Sequence, residues 1–257
     1  MTVLIERLRE IVGPGGWISD PQELQPYVTE WRGVYEGRAL IMVKPRTTDE
    51  VVAIVRACAD NDTAIVPQGG NTSMCGGAVP DASGEQVILN LSRMNRVLDV
   101  DAGNFSMTVQ AGCLLATAQE AARAEGRCFP LSLGAEGSCQ IGGNIATNAG
   151  GINVVRYGTA RALVLGLEVV LANGTVLDNL RSLRKDTAGY DLKQLFIGSE
   201  GTLGIITAAS LRLFPDPGHM ATALVGIDRA GAAVELLGRL KTRLDDRIES
   251  FELVSRR

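Results

Sequence analysis

The stretch that decides the fold is GAEGSCQIGGNIATNAGG, residues 134–151. It contains six glycines and two asparagines in eighteen residues, and there is no lysine or arginine from Cys128 to Val155. A run with so few bulky side chains cannot build a core, so its backbone is the part that matters. Glycine lets another group approach the peptide N–H directly, and successive N–H groups that point into one concavity bind anions. We therefore predict a main-chain anion site in this stretch.

A phosphate held here would be bound by main-chain dipoles together with four polar side chains: Ser138, Asn144, Thr147 and Asn148. A flexible linker is the alternative interpretation of a glycine-rich run. It is disfavoured because isoleucine recurs at 141, 145 and 152, and a linker has no use for such anchors.

A second glycine cluster, PQGGNTSMCGG at residues 67–77, also lacks lysine and arginine. A strand at 39–43, a helix that begins with the capping box Thr47–Glu50 and a strand at 64–66 precede it, which predicts a βαβ unit and a small parallel sheet. Neither cluster has the GxGxxG spacing of a nicotinamide site or the GK[ST] of a P-loop. Two neutral loops of this kind suit a large ligand with a pyrophosphate in its middle.

Composition excludes several classes of function. The chain has 257 residues with 25 basic and 29 acidic side chains, and no basic run indicates nucleic acid as a partner. Its five cysteines are odd in number and form no CxxC pair, which argues against a disulfide framework and a zinc site and favours reduced thiols. No signal peptide and no apolar run of ~18 residues is present. We predict a cytoplasmic protein without a transmembrane segment and leave peripheral membrane contact open.

The remaining pattern predicts an α+β protein. Strands are expected at 87–90, 97–100, 106–109 and 205–213, and helices at 114–125 and 192–196. An Asn173-Gly174 hairpin should join strands 165–172 and 175–177. After Pro215 and Pro217 a new unit is expected, with a strand from Ala221, a helix at 230–244 and a strand at 248–253. The chain thus divides into a helical segment (1–38), a central domain (39–215) and a further domain that begins at 216–257.

Four strings carry a resemblance to a known family: PQGGNTSMCGG (67–77), GSCQIGGNIATNAGG (137–151), RYG (156–158) and GYDLKQLFIGSEGTLGIIT (189–207). In this order, over roughly residues 40–215, they resemble the FAD-binding domain of the vanillyl-alcohol-oxidase (PCMH) type, in the branch of FAD-linked D-2-hydroxyacid dehydrogenases. The resemblance implies a PCMH-type domain of two α/β subdomains, followed by the start of a ferredoxin-like cap domain.

The resemblance also implies the residues that contact FAD. The pyrophosphate loop would comprise Pro67, Gln68, Gly69, Gly70, Asn71, Thr72, Ser73, Gly76 and Gly77. The segment beside the flavin would comprise Pro130, Leu131, Gly134 and Ala135, and the ribityl and pyrophosphate groups would follow Ser138, Cys139, Gly142, Gly143 and Asn144. Thr147, Asn148, Gly150 and Gly151 would lie near the isoalloxazine, and the ADP part would lie near Glu200, Gly201, Gly204, Ile205 and Ile206.

We expect the FAD to be noncovalent. Some family members attach flavin through histidine or cysteine, but the single histidine, His219, follows the central domain. Cys75 and Cys139 lie in the glycine clusters, where small buried cysteines are common. No metal ligand set is predicted.

The implied activity is oxidation of a D-2-hydroxy acid such as D-lactate, glycolate or D-2-hydroxyglutarate, by hydride transfer to the flavin. In the family a histidine base and basic side chains or a metal come from later segments, and here the cap is expected to be truncated, so the catalytic residues stay unassigned. Other polar residues, Arg156, Tyr157, Lys185 and Asp191, suit structural roles equally well. Three alternatives stay open: a fragment or split subunit of such an enzyme, a flavin-binding subunit that needs a partner chain, or another reductase of the superfamily.

Overall fold

A computed structural model gives the structure of residues 2–255 of this protein. Its elements, in chain order, are α1 (Thr2–Val12), β1 (Trp17–Ile18), α2 (Pro21–Val28), β2 (Ile41–Val43), α3 (Thr48–Ala59), β3 (Ile65–Gln68), β4 (Val87–Asn90), β5 (Val97–Asp101), β6 (Ser106–Gln110), α4 (Leu115–Ala124), β7 (Arg127–Cys128), α5 (Ile141–Ala146), α6 (Val154–Tyr157), α7 (Ala160–Leu163), β8 (Val164–Val170), β9 (Val176–Asn179), α8 (Lys193–Phe196), β10 (Ile205–Arg212), β11 (Phe214–Pro215) and α9 (Ala230–Leu244), followed by a 3-10 turn at Asp245–Arg247. The short strands β7 and β11 pair with each other.

The first sheet has four strands in the order β1-β2-β4-β3. Strand β4 pairs in parallel with both β2 and β3, and β1 adds an antiparallel edge. The predicted parallel sheet is thus present, but β4 lies between the two strands that the helix α3 connects. Helix α3 begins where expected: the Thr47 hydroxyl accepts a hydrogen bond from the N–H of Glu50. The Glu50 carboxylate accepts from the N–H of Arg46, so the cap is only half of the predicted box.

The second sheet is antiparallel, with five strands in the order β5-β6-β10-β8-β9. Strand β10 lies at its centre and is buried from Ile205 to Leu211. The predicted hairpin joins β8 and β9, where Gly174 has a φ of 76° and Asn173 accepts a hydrogen bond from the N–H of Thr175. Helix α4 packs beside this sheet and ends before Gly126, whose φ is 66°, as the sequence predicts.

One hydrophobic core joins the two sheets. It contains Val43 and Leu89 of the first sheet, Leu167 and Ala209 of the second, and Leu8 of helix α1. The sheets are therefore fixed relative to each other by buried apolar contacts. The segment that precedes residue 39 contributes to the same core through α1.

The glycine-rich stretch at 134–151 is only partly a loop. Residues Ile141–Ala146 form the short helix α5, whose Ile141 and Ile145 are buried against the core. Two of the three predicted anchors are thus confirmed, whereas the third is wrong, because Ile152 is 55% exposed. The buried isoleucines fix the backbone of the stretch against the second sheet.

The C-terminal segment differs from the prediction. Helix α9 is present, but the strands expected from Ala221 and at 248–253 are not formed within residues 2–255. A strand needs a neighbour for its N–H and C=O groups, and no neighbouring strand reaches these two segments in the described structure. Leu224 is consequently fully exposed. The predicted boundary near residue 216 stays a prediction.

Candidate functional site

Three segments that are far apart in the sequence enclose a cleft of ≈ 380 Å³. The first leaves the carboxyl end of β3, the second contains α5, and the third leads into β10. Most of the residues that the sequence predicts as FAD contacts lie on its wall: Pro67, Gln68, Gly69, Gly70, Asn71, Thr72, Ser73, Gly77, Gly134, Ala135, Cys139, Gly142, Gly143, Asn144, Thr147, Glu200, Gly201, Gly204, Ile205 and Ile206. Whether each of them contacts FAD stays a prediction.

The first two segments touch through their backbones. A Cβ placed on Gly70 would lie 2.0 Å from the carbonyl oxygen of Ser138, so only glycine allows this approach. Gly143 is different, because a Cβ there would meet no protein atom within 4 Å and would project into open space. The glycines therefore serve two purposes: some bring the walls together, and others leave the cleft open.

The cleft is almost free of charge. Among its wall residues in the described part of the chain, Glu200 is the only ionisable acid and there is no lysine or arginine. The carboxylate of Glu200 faces Gly77, where a Cβ would lie 2.8 Å from its Oε2. An anionic ligand in this cleft must therefore be bound by main-chain N–H groups and neutral side chains.

One buried polar atom on the wall supports a ligand with hydrogen-bond donors. The Oε1 of Gln140 is buried and has no hydrogen-bond partner within residues 2–255. Leaving a buried acceptor unpaired costs about 1–3 kcal/mol, so native proteins rarely do so without a reason. The hydroxyl groups of FAD are donors of the required type, and the residues present fit this cofactor.

Four predicted contacts lie away from the cleft and serve to pack the loops. Gly76 lies under the ring of Tyr35, and Ser138 meets Gly70 through its carbonyl. Gly150 lies against Val154, and Gly151, with a φ of 78°, packs on the carbonyl of Ser132. Contacts within the protein thus explain why Gly76 and Gly151 carry no side chain.

Three more predicted contacts have other surroundings. The Oδ1 of Asn148 accepts a hydrogen bond from the N–H of Arg161, at a backbone φ of 49°. Pro130 and Leu131 line a separate cavity of ≈ 290 Å³. That cavity is lined by side chains of both charges, including Arg123 and Glu249. Residues 130–132 line it, and the next residues, 133–135, line the cleft.

The wall also contains residues that the sequence did not predict: Met74, Ala78, Leu91, Leu133, Gln140, Ala146 and Ala149. Gln140 lies inside the quoted stretch and could have been recognised as one of its two longest polar side chains, with Glu136. Leu91 follows β4, whose position between β2 and β3 became visible only in the folded structure.

Of the residues considered for flavin attachment, Cys139 lies on the wall of the cleft and Cys75 and His219 do not. Burial raises the pKa of the Cys139 thiol, despite a hydrogen bond from Asn144, so it is protonated at neutral pH. Cys75 is exposed and does not line the cleft. His219 is exposed in the segment after β11.

The other polar candidates lie outside the cleft. Arg156 donates a hydrogen bond of 2.7 Å to Glu249, and the Tyr157 hydroxyl donates one of 3.1 Å to the same carboxylate. This pairing attaches the C-terminal segment to the helix α6. Asp191 is paired with Lys193 at 2.7 Å, and Lys185 is exposed.

Two further features of the described residues concern membrane-spanning helices and clusters of metal-binding side chains. Between residues 2 and 255 no helix has both the length and the apolar character that crossing a membrane requires. Within the same range no cluster of three or more histidine, cysteine, aspartate or glutamate side chains is arranged to bind a metal ion.

Comparison with known proteins gives a consistent result. Residues 39–179 match the family described as FAD binding domain. The mitochondrial D-2-hydroxyglutarate dehydrogenases of Bos taurus and Arabidopsis thaliana are 46% and 41% identical over 245 and 250 residues, covering 95% and 97% of this chain but 45% and 44% of theirs. A D-2-hydroxyglutarate–pyruvate transhydrogenase of Saccharomyces cerevisiae is 39% identical over 92% of this chain and 47% of its own. The chain thus spans about half the length of these curated relatives.

The solved structure of an alkyldihydroxyacetonephosphate synthase superposes with a TM-score of 0.75 at 24% identity, covering 85% of this chain and 41% of that one. This likeness confirms the predicted α+β fold of the PCMH type. The predicted cytoplasmic location is wrong by the same comparisons, because the bovine and plant relatives are named mitochondrial.

Proposed function

Because this chain belongs to the FAD binding domain family, we propose that it binds FAD noncovalently in the cleft and serves the oxidation of a D-2-hydroxy acid. The observation that carries the proposal is the cleft itself, in which three predicted motifs form one glycine-lined wall whose only carboxylate in the described residues is Glu200. When bound, FAD would supply the acceptor for the hydride that leaves the substrate's Cα.

The residues of the chain would bind and shield the cofactor. Main-chain N–H groups of the 67–77 loop suit the pyrophosphate, because no cation lines the wall in the described residues. Glu200 is an acceptor and therefore suits a sugar hydroxyl better than a phosphate. Leu91, Leu133 and Ile205 provide apolar surface on the wall of the cleft.

Noncovalent attachment is supported by the protonated Cys139 thiol and the remote His219. Acid precipitation of the flavin-loaded protein should leave all of the yellow colour in the supernatant. The substitution His219→Ala should leave FAD uptake unchanged. Colour that stays with the precipitated protein would contradict noncovalent binding.

D-2-hydroxyglutarate is the substrate that we propose first, because the mammalian, plant and yeast relatives are all named for it. D-Lactate and glycolate are alternatives from the family resemblance. The cleft wall within residues 2–255 contains neither a cation for the substrate carboxylate nor a histidine base. We therefore propose that these groups come from another segment or from a partner chain.

The first experiment is a visible spectrum of the purified protein before and after reconstitution with FAD. Flavin absorbance that co-purifies with the chain is expected, and its absence after reconstitution would refute the proposal. Anaerobic addition of D-2-hydroxyglutarate, with L-2-hydroxyglutarate as the matched control, then tests the reaction. We expect no bleaching by the 257-residue chain alone, and bleaching by the D-acid only would show that the chain already contains the catalytic groups.

A further inference from the structure

Residues 26–37, which precede the matched family region, contact the 67–77 loop. Gln68 donates through Nε2 to the carbonyl of Tyr27 at 2.8 Å, and Asn71 donates through Nδ2 to the carbonyl of Thr29 at 2.9 Å. Asn71 is held at a φ of 51°, in the left-handed region. The segment thus stabilises a backbone conformation that the loop would not adopt by itself.

Two side chains of the segment reach the far end of the same loop. Arg32 donates through Nη2 to the carbonyl of Met74. The ring of Tyr35 packs on Gly76, where a Cβ would lie 2.7 Å from its Cγ. The loop is therefore held at its start, its middle and its end.

A buried carboxylate organises this segment from within. The side chain of Glu30 has no exposed surface, and it accepts hydrogen bonds of 2.8 Å from the N–H groups of Arg32 and Val34. The Nε of Arg32 lies 3.5 Å from the same carboxylate. Burial raises the pKa of Glu30, but the two backbone hydrogen bonds and Arg32 outweigh it, so the pKa is lowered and the group is charged at neutral pH.

We propose that Glu30 and Arg32 are positioning residues for the cofactor, an inference that rests on the proposed function. Glu30 fixes Arg32, and Arg32 fixes the carbonyl of Met74, which aligns the N–H groups of the 67–77 loop toward the pyrophosphate. The cleft needs such a device because its wall has no cation of its own in the described residues, so the phosphates depend on the orientation of N–H dipoles. Glu30 and Arg32 thereby support the FAD site although neither of them lines the cleft.

The test compares Arg32→Gln and Glu30→Gln with two control variants of the 257-residue chain. Arg7→Gln removes an arginine from an exposed Arg–Glu pair on α1. Glu36→Gln removes an exposed carboxylate from the segment that also contains Glu30 and Arg32. Affinity is measured for FAD and for riboflavin, which lacks the phosphates. The ³¹P NMR spectrum of bound FAD and the amide hydrogen exchange of the FAD-free protein complete the comparison.

The Arg32→Gln variant should bind FAD about tenfold more weakly than the wild type, because it loses a charge-assisted hydrogen bond. Its affinity for riboflavin should be unchanged. The ³¹P resonances of bound FAD should shift, residues 71–77 should exchange faster without FAD, and Arg32→Lys should restore part of the affinity. Both control variants should behave like the wild type. Equal losses for FAD and riboflavin, or unchanged exchange in residues 71–77, would overturn the inference.

The two proposals fail in different ways. A wild-type chain that takes up no FAD refutes the proposed function, and it also ends the positioning role. A wild-type chain that binds FAD while Arg32→Gln binds it equally well refutes only the positioning role. If Glu30→Gln does not fold, Arg32→Gln decides alone, because the Arg32 side chain is 37% exposed and its replacement leaves the core intact.

Discussion

Gly143→Ala separates the stability of the fold from the binding of the cofactor. Gly143 lies inside helix α5 and on the wall of the cleft, and a Cβ there would meet no protein atom within 4 Å. Alanine is favoured over glycine in a helix by roughly 0.5–1 kcal/mol. For a chain of this size the FAD-free variant should therefore melt about 1–4 °C higher than the wild type.

The same methyl group occupies space that we assign to FAD. Forcing an extra methyl into a well-packed contact costs about 1–3 kcal/mol, which corresponds to a roughly 5- to 150-fold rise in the dissociation constant. Differential scanning fluorimetry of the FAD-free protein and titration with FAD measure the two effects on one preparation. Higher stability together with weaker FAD binding is the expected result.

Gly142→Ala is the matched control one residue earlier. A Cβ at this position would lie 2.7 Å from the Cβ of Ala111, so the substitution should lower the melting temperature of the FAD-free protein. If Gly143→Ala bound FAD as tightly as the wild type, α5 would not face the cofactor and the assignment of the cleft would be wrong. If Gly142→Ala were as stable as the wild type, the packing of α5 on β6 would be looser than the structure indicates.

Two further predictions concern the body of the fold. The carboxylate of Glu168 accepts hydrogen bonds of 2.7 and 2.6 Å from the hydroxyls of Thr48 and Thr207, so Glu168→Ala should lower the free energy of unfolding in urea by about 1.5–3 kcal/mol, and Glu168→Gln by less. An equal loss in both variants would show that the hydroxyls are not the important partners. Burial and Glu249 raise the pKa of Tyr157 from 10.0 to about 12, so the folded state holds this proton more tightly and stability should fall as the pH rises from 10.0 to about 12. In the Tyr157→Phe variant this contribution to the loss of stability at high pH should disappear. A pH profile of urea unfolding identical to that of the wild type would contradict the prediction.

Local elements were predictable where short-range chemistry decides them. Thr47 marks the start of α3, Gly126 follows the end of α4, and Asn173-Gly174 forms the hairpin between β8 and β9. Each of these signals depends on residues within one turn of the element. The strands predicted from Ala221 and at 248–253 are not formed in the described structure, because a strand depends on a neighbour that its own sequence does not encode.

The sequence by itself determined that this protein has two glycine-rich stretches without lysine or arginine and that their order matches an FAD-binding domain. It did so because glycine content, the absence of cations and motif order are properties of the chain alone. Only the tertiary structure decided which of these glycines face the cleft and which pack on a neighbouring backbone, as Gly143 and Gly70 do. It also revealed Gln140 on the wall and the support of the 67–77 loop by Glu30 and Arg32. Arg32 and Met74 are 42 positions apart, and helix α2 holds the segment of Arg32 against the first sheet because Leu24 and Val28 pack on Met42 and Ile88.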